Sequence, residues 1–315
     1  MRVNARRRIV LNLYDRLLPL LKISFLSSLT WILTGCHRSV EPLYPLNTES
    51  PTALELGSAF SESNCGSIYG TVLWDGPRPE PMPLWKSAPL DQLGSVCWDP
   101  RINNWLPRIR NQTSGLEDAV VFLKNVDPAR SCKIQWPQVE ITVGDEGIVV
   151  AQGAYQGHTG FVFPGSTVQV KSMAERYSML RFRGSAFFTL ALPQRGVVLE
   201  RTLPNEGIIE LKNAASNYWE RGWIFVTSHP YYTRTDANGN FKIDDIPDGE
   251  YELVCQHPHW QIEHFERDPE MFQISNVTFR EPLRTMVTVR VEKGMRHRVE
   301  ILLGQNPTKK AIASR

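Results

Sequence analysis

Residues 235–253, Thr-Asp-Ala-Asn-Gly-Asn-Phe-Lys-Ile-Asp-Asp-Ile-Pro-Asp-Gly-Glu-Tyr-Glu-Leu, constrain the fold more than any other stretch of the chain. Asn238-Gly239 offers the two positive-φ positions that a two-residue hairpin turn needs. Phe241 and Ile243 then alternate with polar neighbours, as in a half-buried strand. Ile246-Pro247-Asp248-Gly249 makes a second tight turn, and Tyr251 and Leu253 resume the alternation. Very short strands between two turns fit a small β-sandwich and would not sit as a helix.

The rest of the chain has the same character. Ser67–Trp74, Ala119–Lys124, Gly147–Gln152, Ser166–Lys171, Ala186–Leu192, Gly207–Leu211 and Trp223–Thr227 are short, β-branched or aromatic, and bounded by turn residues. Thr285–Glu292 alternates and is expected to turn at Lys293-Gly294 into Val299–Leu303 as a closing hairpin. Only Leu84–Leu93 has room for a short helix. The expected fold class is all-β, two β-sandwich domains. The boundary is placed near Ser228-His229-Pro230, giving a larger unit at 66–228 and a smaller one at 229–304. With so few residues between them, the two are expected to pack together through aromatics near Tyr231 and Trp260.

The amino-terminal segment reads as an address. Arg2, Arg6, Arg7, Arg8, Arg16 and Lys22 precede a short apolar run, Ile23–Leu33, which ends in Leu33-Thr34-Gly35-Cys36. That run suits a signal peptide better than a membrane span of about 20 residues. Leu-Thr-Gly-Cys matches a bacterial lipobox, so residues 1–35 are expected to be removed and Cys36 to carry a lipid anchor. His37 rather than Asp after the cysteine points to an outer-membrane destination where there are two membranes. Residues 36–65 are expected to be a flexible tether and 305–315 an unstructured tail. Of 35 basic and 33 acidic residues, six and one lie in 1–35, which leaves 29 against 32. A remainder of net charge −3 without a basic run makes nucleic acid an unexpected partner. Four cysteines remain after Cys36, namely Cys65, Cys97, Cys132 and Cys255, and allow three connectivities; Cys97–Cys132 is the first expected bridge, and a reduced, buried Cys255 is an equal alternative.

Two resemblances rest on these residues. The run from Thr235 to Leu253 resembles the carboxypeptidase regulatory-like (transthyretin-like) domain, a module that is usually a non-catalytic appendage. Gly66-Ser67-Ile68-Tyr69-Gly70-Thr71-Val72, Gly115–Lys124 and Trp223–Tyr231 resemble exported planctomycete-type proteins, related to methylamine-utilisation and plastocyanin-like sequences. In them a cupredoxin-like sandwich runs into a carboxypeptidase regulatory-like domain. That resemblance implies copper ligands: a His after one strand, then Cys-x-x-His-Pro-Trp-Met before the closing strand. Here the corresponding positions hold Tyr177, Ala214, Asn217 and Glu220, with Trp219 still in register. A phenol, a methyl, an amide and a carboxylate do not make a blue-copper site, which is defined by its thiolate. The sandwich is therefore expected to lack copper, and no cofactor is expected.

Other chemistry is sparse. Cys255, His257 and His259 would share one face if their strand continued, and are the one candidate metal set. His229 and His158 have no carboxylate nearby in sequence, and Glu200, Glu206 and Glu210 are spaced as strand-face charges. Neither a nucleophile elbow, a zincin motif nor a phosphate loop occurs. Trp85, Trp98, Trp105, Trp136, Trp219, Trp223 and Trp260 could stack on sugars if exposed, or fill cores and a seam if buried. The expectation is a non-enzymatic, lipid-anchored envelope protein with a structural or binding role toward a protein or glycan. A carbohydrate-binding module, or a metal-binding or electron-transfer protein with a relocated site, is the alternative.

Overall fold

The computed structural model describes residues 59–87, 98–101, 103–175, 177–214, 219–267, 269–270, 274–304 and 312–313. The signal segment, Cys36 and Cys97 lie outside the described residues. In chain order the strands are β1 (Cys65–Asp75), β2 (Leu84–Ser87), β3 (Trp98–Arg101), β4 (Val120–Lys124), β5 (Val139–Gly144), β6 (Gly147–Gln152), β7 (Tyr155–Gly157) and β8 (Thr159–Val162). Then come β9 (Ser166–Ser172), β10 (Ser178–Gly184), β11 (Phe188–Leu192), β12 (Val198–Leu203), β13 (Gly207–Asn213), β14 (Arg221–Val226) and β15 (Tyr232–Arg234). The last are β16 (Asn240–Pro247), β17 (Gly249–His257), β18 (Ile262–Arg267), β19 (Ile274–Phe279), β20 (Leu283–Val291), β21 (Arg296–Gly304) and β22 (Ile312–Ala313). The chain is all-β, as its alternation and turn residues require. Leu84–Ser87 is a strand paired with β3, because Leu84 and its neighbours find a ladder partner in Trp98–Arg101 and not a helical face.

Four sheets form a stack. Sheet 1 has the order β12-β9-β5-β6-β7, sheet 2 β11-β10-β13-β14-β8, sheet 3 β15-β4-β17-β20 and sheet 4 β16-β1-β21-β22. Sheets 1 and 2 enclose a core that includes Val139, Ile141, Val150, Val170, Phe182, Leu211 and Ile224. Sheets 3 and 4 enclose Val121, Leu123, Leu253 and Cys255 against Ile68, Val72, Ile243 and Ile301. The second sandwich is thus discontinuous in sequence, which corrects the expected boundaries 66–228 and 229–304. β1 is hydrogen-bonded between β16 and β21, and β4 between β15 and β17. Residues 139–226 form the first sandwich as an insertion between β4 and β15.

β14 joins the two. All six of its residues, Arg-Gly-Trp-Ile-Phe-Val, are buried. Side chains alternate across a strand, so Ile224 and Val226 enter the first core while Trp223 and Phe225 enter the second. Sheet 3 answers from the far side with Phe122. Phe225, Phe122, Phe161 and Tyr232 form one ring cluster, with centroids 4.7 Å apart for Phe122–Tyr232, 5.7 Å for Phe161–Tyr232 and 6.3 Å for Phe122–Phe225. Aromatic pairs at these separations add to the burial of their area. Tyr232 supplies the seam, while its neighbour Tyr231 points into the second core.

The turns also depart from the hairpin expectation. Asn238 is not among the positive-φ residues; Gly239 alone takes φ 82°. Gly239 N bonds Asp236 O at 2.9 Å, and the Asp236 carboxylate accepts from the N–H groups of Asn238 and Asn240 at 2.8 Å each. This is a three-residue loop closed by a left-handed glycine, held by an Asx contact. It carries the chain from sheet 3 to sheet 4, the turn at 247–249 carries it back, and the turn at 292–295 crosses again to sheet 4. β20 and β21 are consequently in different sheets, and β21 runs parallel to β1 and not back along β20. The ends are more ordered than expected. Ala59 N bonds Ala129 O at 2.9 Å, so the packed part begins within the expected tether. Ile312 and Ala313, within the expected tail, pair with Glu300 and Val299 at the free edge of β21. Among the described residues no helix is long and apolar enough to cross a membrane.

Candidate functional site

Of the positions that the sequence aligned with copper ligands, Tyr177, Ala214 and Glu220 lie at one end of sheet 2, where β10 and β14 begin and β13 finishes. Leu180 is opposite Asn213, and Ala214 N bonds Met179 O at 2.8 Å, which brings Tyr177 and Ala214 to the same end. Their side chains do not converge on a ligand set. Tyr177 is 54% exposed, while Glu220 is buried and accepts from Asn213 Nδ2 at 2.6 Å. Asn217 lies outside the described residues. Three more exposed apolar residues lie where β9 ends and β12 begins: Met173, Val197 and Val198. Gly196 N bonds Ser172 O at 2.7 Å and Val198 is opposite Lys171, which sets Met173 beside Val197. An Arg195–Glu175 ion pair spans the same loops.

A second feature is a cleft of about 30 Å³ between the two sandwiches, lined by Trp105, Tyr155, His158, Trp223 and His257. That is room for one or two waters. His158 Nδ1 lies 3.0 Å from Ile148 O, and His257 Nδ1 lies 2.8 Å from Pro258 O. A carbonyl only accepts, so each Nδ1 carries the proton and each Nε2 is left as an acceptor. Burial lowers the pKa of both, to about 4 for His257, so both are neutral at pH 7. The Trp105 ring packs 4.5 Å from His158 and 5.1 Å from Trp223. Arg108, at the rim, is neutralised by Glu117 at 3.3 Å and by Asp118. The cleft can hold hydrogen-bonded water; its neutral imidazoles and paired arginine do not assemble a nucleophile with a base.

Two arginines that line this seam were not expected from the sequence: Arg221, which is buried, and Arg234, which is half-buried. Arg221 has its Nε 3.1 Å from Glu210 Oε1, donates from Nη1 to His259 O at 3.2 Å, and lies 4.0 Å over the Phe279 ring and 4.7 Å over Trp223. Arg234 donates to Gln152 Oε1 at 2.9 Å and Thr159 O at 2.5 Å, between the Tyr155 and Phe161 rings at 3.8 and 4.1 Å. Burial brings both guanidinium pKa values down to about 10, still charged at neutral pH. A signal was present for Arg221: a charge in register with Trp223 and Phe225 on the face of an otherwise apolar strand.

The remaining candidates are dispersed. β17 ends at His257 and Pro258 breaks the alternation, so Cys255, His257 and His259 do not converge. Cys255 is fully buried in the second core, and burial pushes its thiol pKa up. His259 stacks on Trp260 at 4.5 Å, and its Nδ1 accepts from Gln261 N at 3.1 Å. Among the described residues no three His, Cys, Asp or Glu side chains are grouped as a metal site. His229 is buried against Tyr231 and Tyr232, Glu206 receives Ser228 Oγ at 3.1 Å, and Glu200 receives Gln169 Nε2 at 3.2 Å. Trp74, Trp105, Trp219, Trp223 and Trp260 are all buried, so none of these five offers a face to a sugar.

The fold and these two features define an all-β protein of stacked sandwiches. No family model matches the chain, and no curated protein matches it. Solved structures similar to part of it include a purple cupredoxin from Nitrosopumilus maritimus. It is 16% identical with a TM-score of 0.23, over 29% of this chain and 100% of that one. An amicyanin variant in its oxidized state is 14% identical with a TM-score of 0.22, over 29% of this chain and 82% of that one. At these scores the likeness carries no argument about chemistry.

Proposed function

We propose that this chain is a non-enzymatic protein of the bacterial envelope, anchored by a lipid on Cys36, that binds another envelope protein through the end of its first sandwich around Tyr177. In this reading it is a planctomycete-type exported protein whose second sandwich is carboxypeptidase regulatory-like. The observation that carries the binding role is the exposure of four apolar side chains, Met173, Tyr177, Val197 and Val198, where β9 ends and β10 and β12 begin. Contiguous exposed apolar side chains on a soluble domain mark interaction surfaces. The lipobox Leu33-Thr34-Gly35-Cys36 supports the anchor.

The test places a photo-crosslinking residue at Tyr177, or at exposed Lys242 on sheet 4, in intact cells expressing the full chain. A discrete protein adduct at position 177 and none at 242 is expected, with the wild type in the detergent phase and Cys36→Ser outside it. Equal adducts at both positions, or none at 177, would end the docking role. A wild-type protein that stays aqueous after signal removal would end the anchoring role separately.

A further inference from the structure

Two cysteines far apart in sequence meet around one buried tyrosine. Cys132 follows the short turn at Pro128–Arg130, and its N–H donates to Tyr231 Oη at 3.0 Å. Tyr231 Oη in turn donates to Asp245 O at 2.8 Å. Asp245 stands two residues before Pro247, and Pro247 is the ladder partner of Cys65. Three further bonds clamp both cysteine-bearing segments onto this corner. Ala59 N bonds Ala129 O at 2.9 Å, Arg130 Nη2 reaches Asp248 Oδ1 at 2.8 Å, and Asp248 N donates to Asn64 O at 3.0 Å. Both cysteines are free thiols in this structure, with the Cys65 Sγ donating to Ser61 O at 3.2 Å, and Asp245 helps to raise the thiol pKa of each.

We propose that Cys65 and Cys132 form a disulfide that fastens the start of β1 to the loop after β4, in place of the Cys97–Cys132 bridge expected from sequence. Cys255 is excluded by position, since it lies fully buried between sheets 3 and 4. Cys65 is half-buried and is the thiol an oxidant can reach; Cys132 is 4% exposed. The Cys65 thiolate attacks a small disulfide oxidant such as oxidised glutathione, forming a mixed disulfide and expelling one glutathione thiolate. The Cys132 thiolate then attacks the Cys65 sulfur, closes the bridge and expels the second. Two protein thiols are oxidised, one glutathione disulfide is reduced, and the two thiol protons pass to solvent or to the released glutathione. Burial, then Asp245, Asp248 and Glu62, hold the Cys65 thiol above its ordinary value. Thiolate is therefore scarce at neutral pH, and closure should quicken as pH rises.

The full chain, purified without reductant and oxidised with glutathione disulfide, should give one linked peptide pair joining Cys65 to Cys132 after alkylation and non-reducing digestion. Reduction should lower the melting temperature, and Cys65→Ser should leave Cys132 alkylated while the far-ultraviolet circular dichroism is unchanged. Free, alkylated Cys65 and Cys132 in the oxidised wild type would overturn the proposal. So would a bridge from Cys132 to Cys97 or Cys255. The test needs no export, so it succeeds or fails independently of the anchoring and docking roles.

Discussion

Glu210→Ala is expected to cost about 3–5 kcal/mol of folding stability, because it strands a buried charge. Arg221 is 5% exposed and rests on Glu210 Oε1 at 3.1 Å, on His259 O at 3.2 Å and on the Phe279 ring. Glu210 also sits 3.5 Å from Lys212, whose pKa is lowered by burial and whose Nζ donates to Val277 O. Removing the carboxylate leaves buried Arg221 and half-buried Lys212, ladder partners on β14 and β13, without a compensating charge. Glu210→Ala combined with Arg221→Met should lose much less than Glu210→Ala alone, since the methionine keeps the apolar stem over Trp223 and Phe279 without the charge. Denaturant unfolding of the two variants checks this. Equal losses would mean that the ion pair contributes nothing beyond packing.

Stability is expected to fall as pH drops from 6.5 toward 4, with the fall beginning above the range in which ordinary carboxylates titrate. Burial lowers the pKa of His229 from 6.5 to about 4, and His229 Nδ1 has no hydrogen-bond partner among the described residues. Its ring faces Tyr231 and Tyr232, with no carboxylate to stabilise a proton. His257 is likewise lowered to about 4, by burial first and then by Arg108 and His259, against the bond to Pro258 O. Between pH 6.5 and 4 the unfolded chain therefore binds more protons than the folded one. The stability these groups contribute is complete above 6.5 and is lost as pH falls toward the folded values. Each group accounts for about 3 kcal/mol over that window, from the 1.36 kcal/mol carried by each pKa unit. His229→Phe, which keeps the stacking, should reduce the slope in denaturant midpoint between pH 6.5 and 4.5, the remainder coming from His257 and the other lowered histidines, His158 and His259. An unchanged slope would contradict the buried, neutral state of His229.

The strands were legible where one face is apolar and the turn chemistry is local. Ile148 and Val150 of Gly147–Gln152, and the alternating Phe241, Ile243, Tyr251 and Leu253, are in strands and buried, while Val149 is exposed. What could not be read was which strands pair, because alternation gives the face of a strand and not its neighbour. The stretch from Ser67 to Trp74 looks the same whether its partner is 50 or 230 residues away, and its parallel pairing with β21 places it in the second sandwich. The turn at Asp236–Asn240 shows the same limit: its residues announce a reversal, but the chain changes sheets there. Of the site positions, the loss of ligand character was legible, but not that Tyr177 would be exposed and Glu220 buried. Nor was the seam, since its two arginines are charged residues that a pattern reading assigns to the surface.

The central claim is that β14 belongs to two cores at once, so the two sandwiches are one cooperative unit. Ile224 and Phe225 are adjacent in sequence, 0% and 3% exposed, and packed in different cores. Truncating either should cost about 2–5 kcal/mol through lost contacts and the cavity left behind. The direct test is differential scanning calorimetry of the wild type beside Ile224→Ala and Phe225→Ala. The account predicts a single transition in all three, with a calorimetric enthalpy equal to the van't Hoff value and both variants shifted down. Two resolved transitions, with Ile224→Ala moving only one and Phe225→Ala moving only the other, would contradict it.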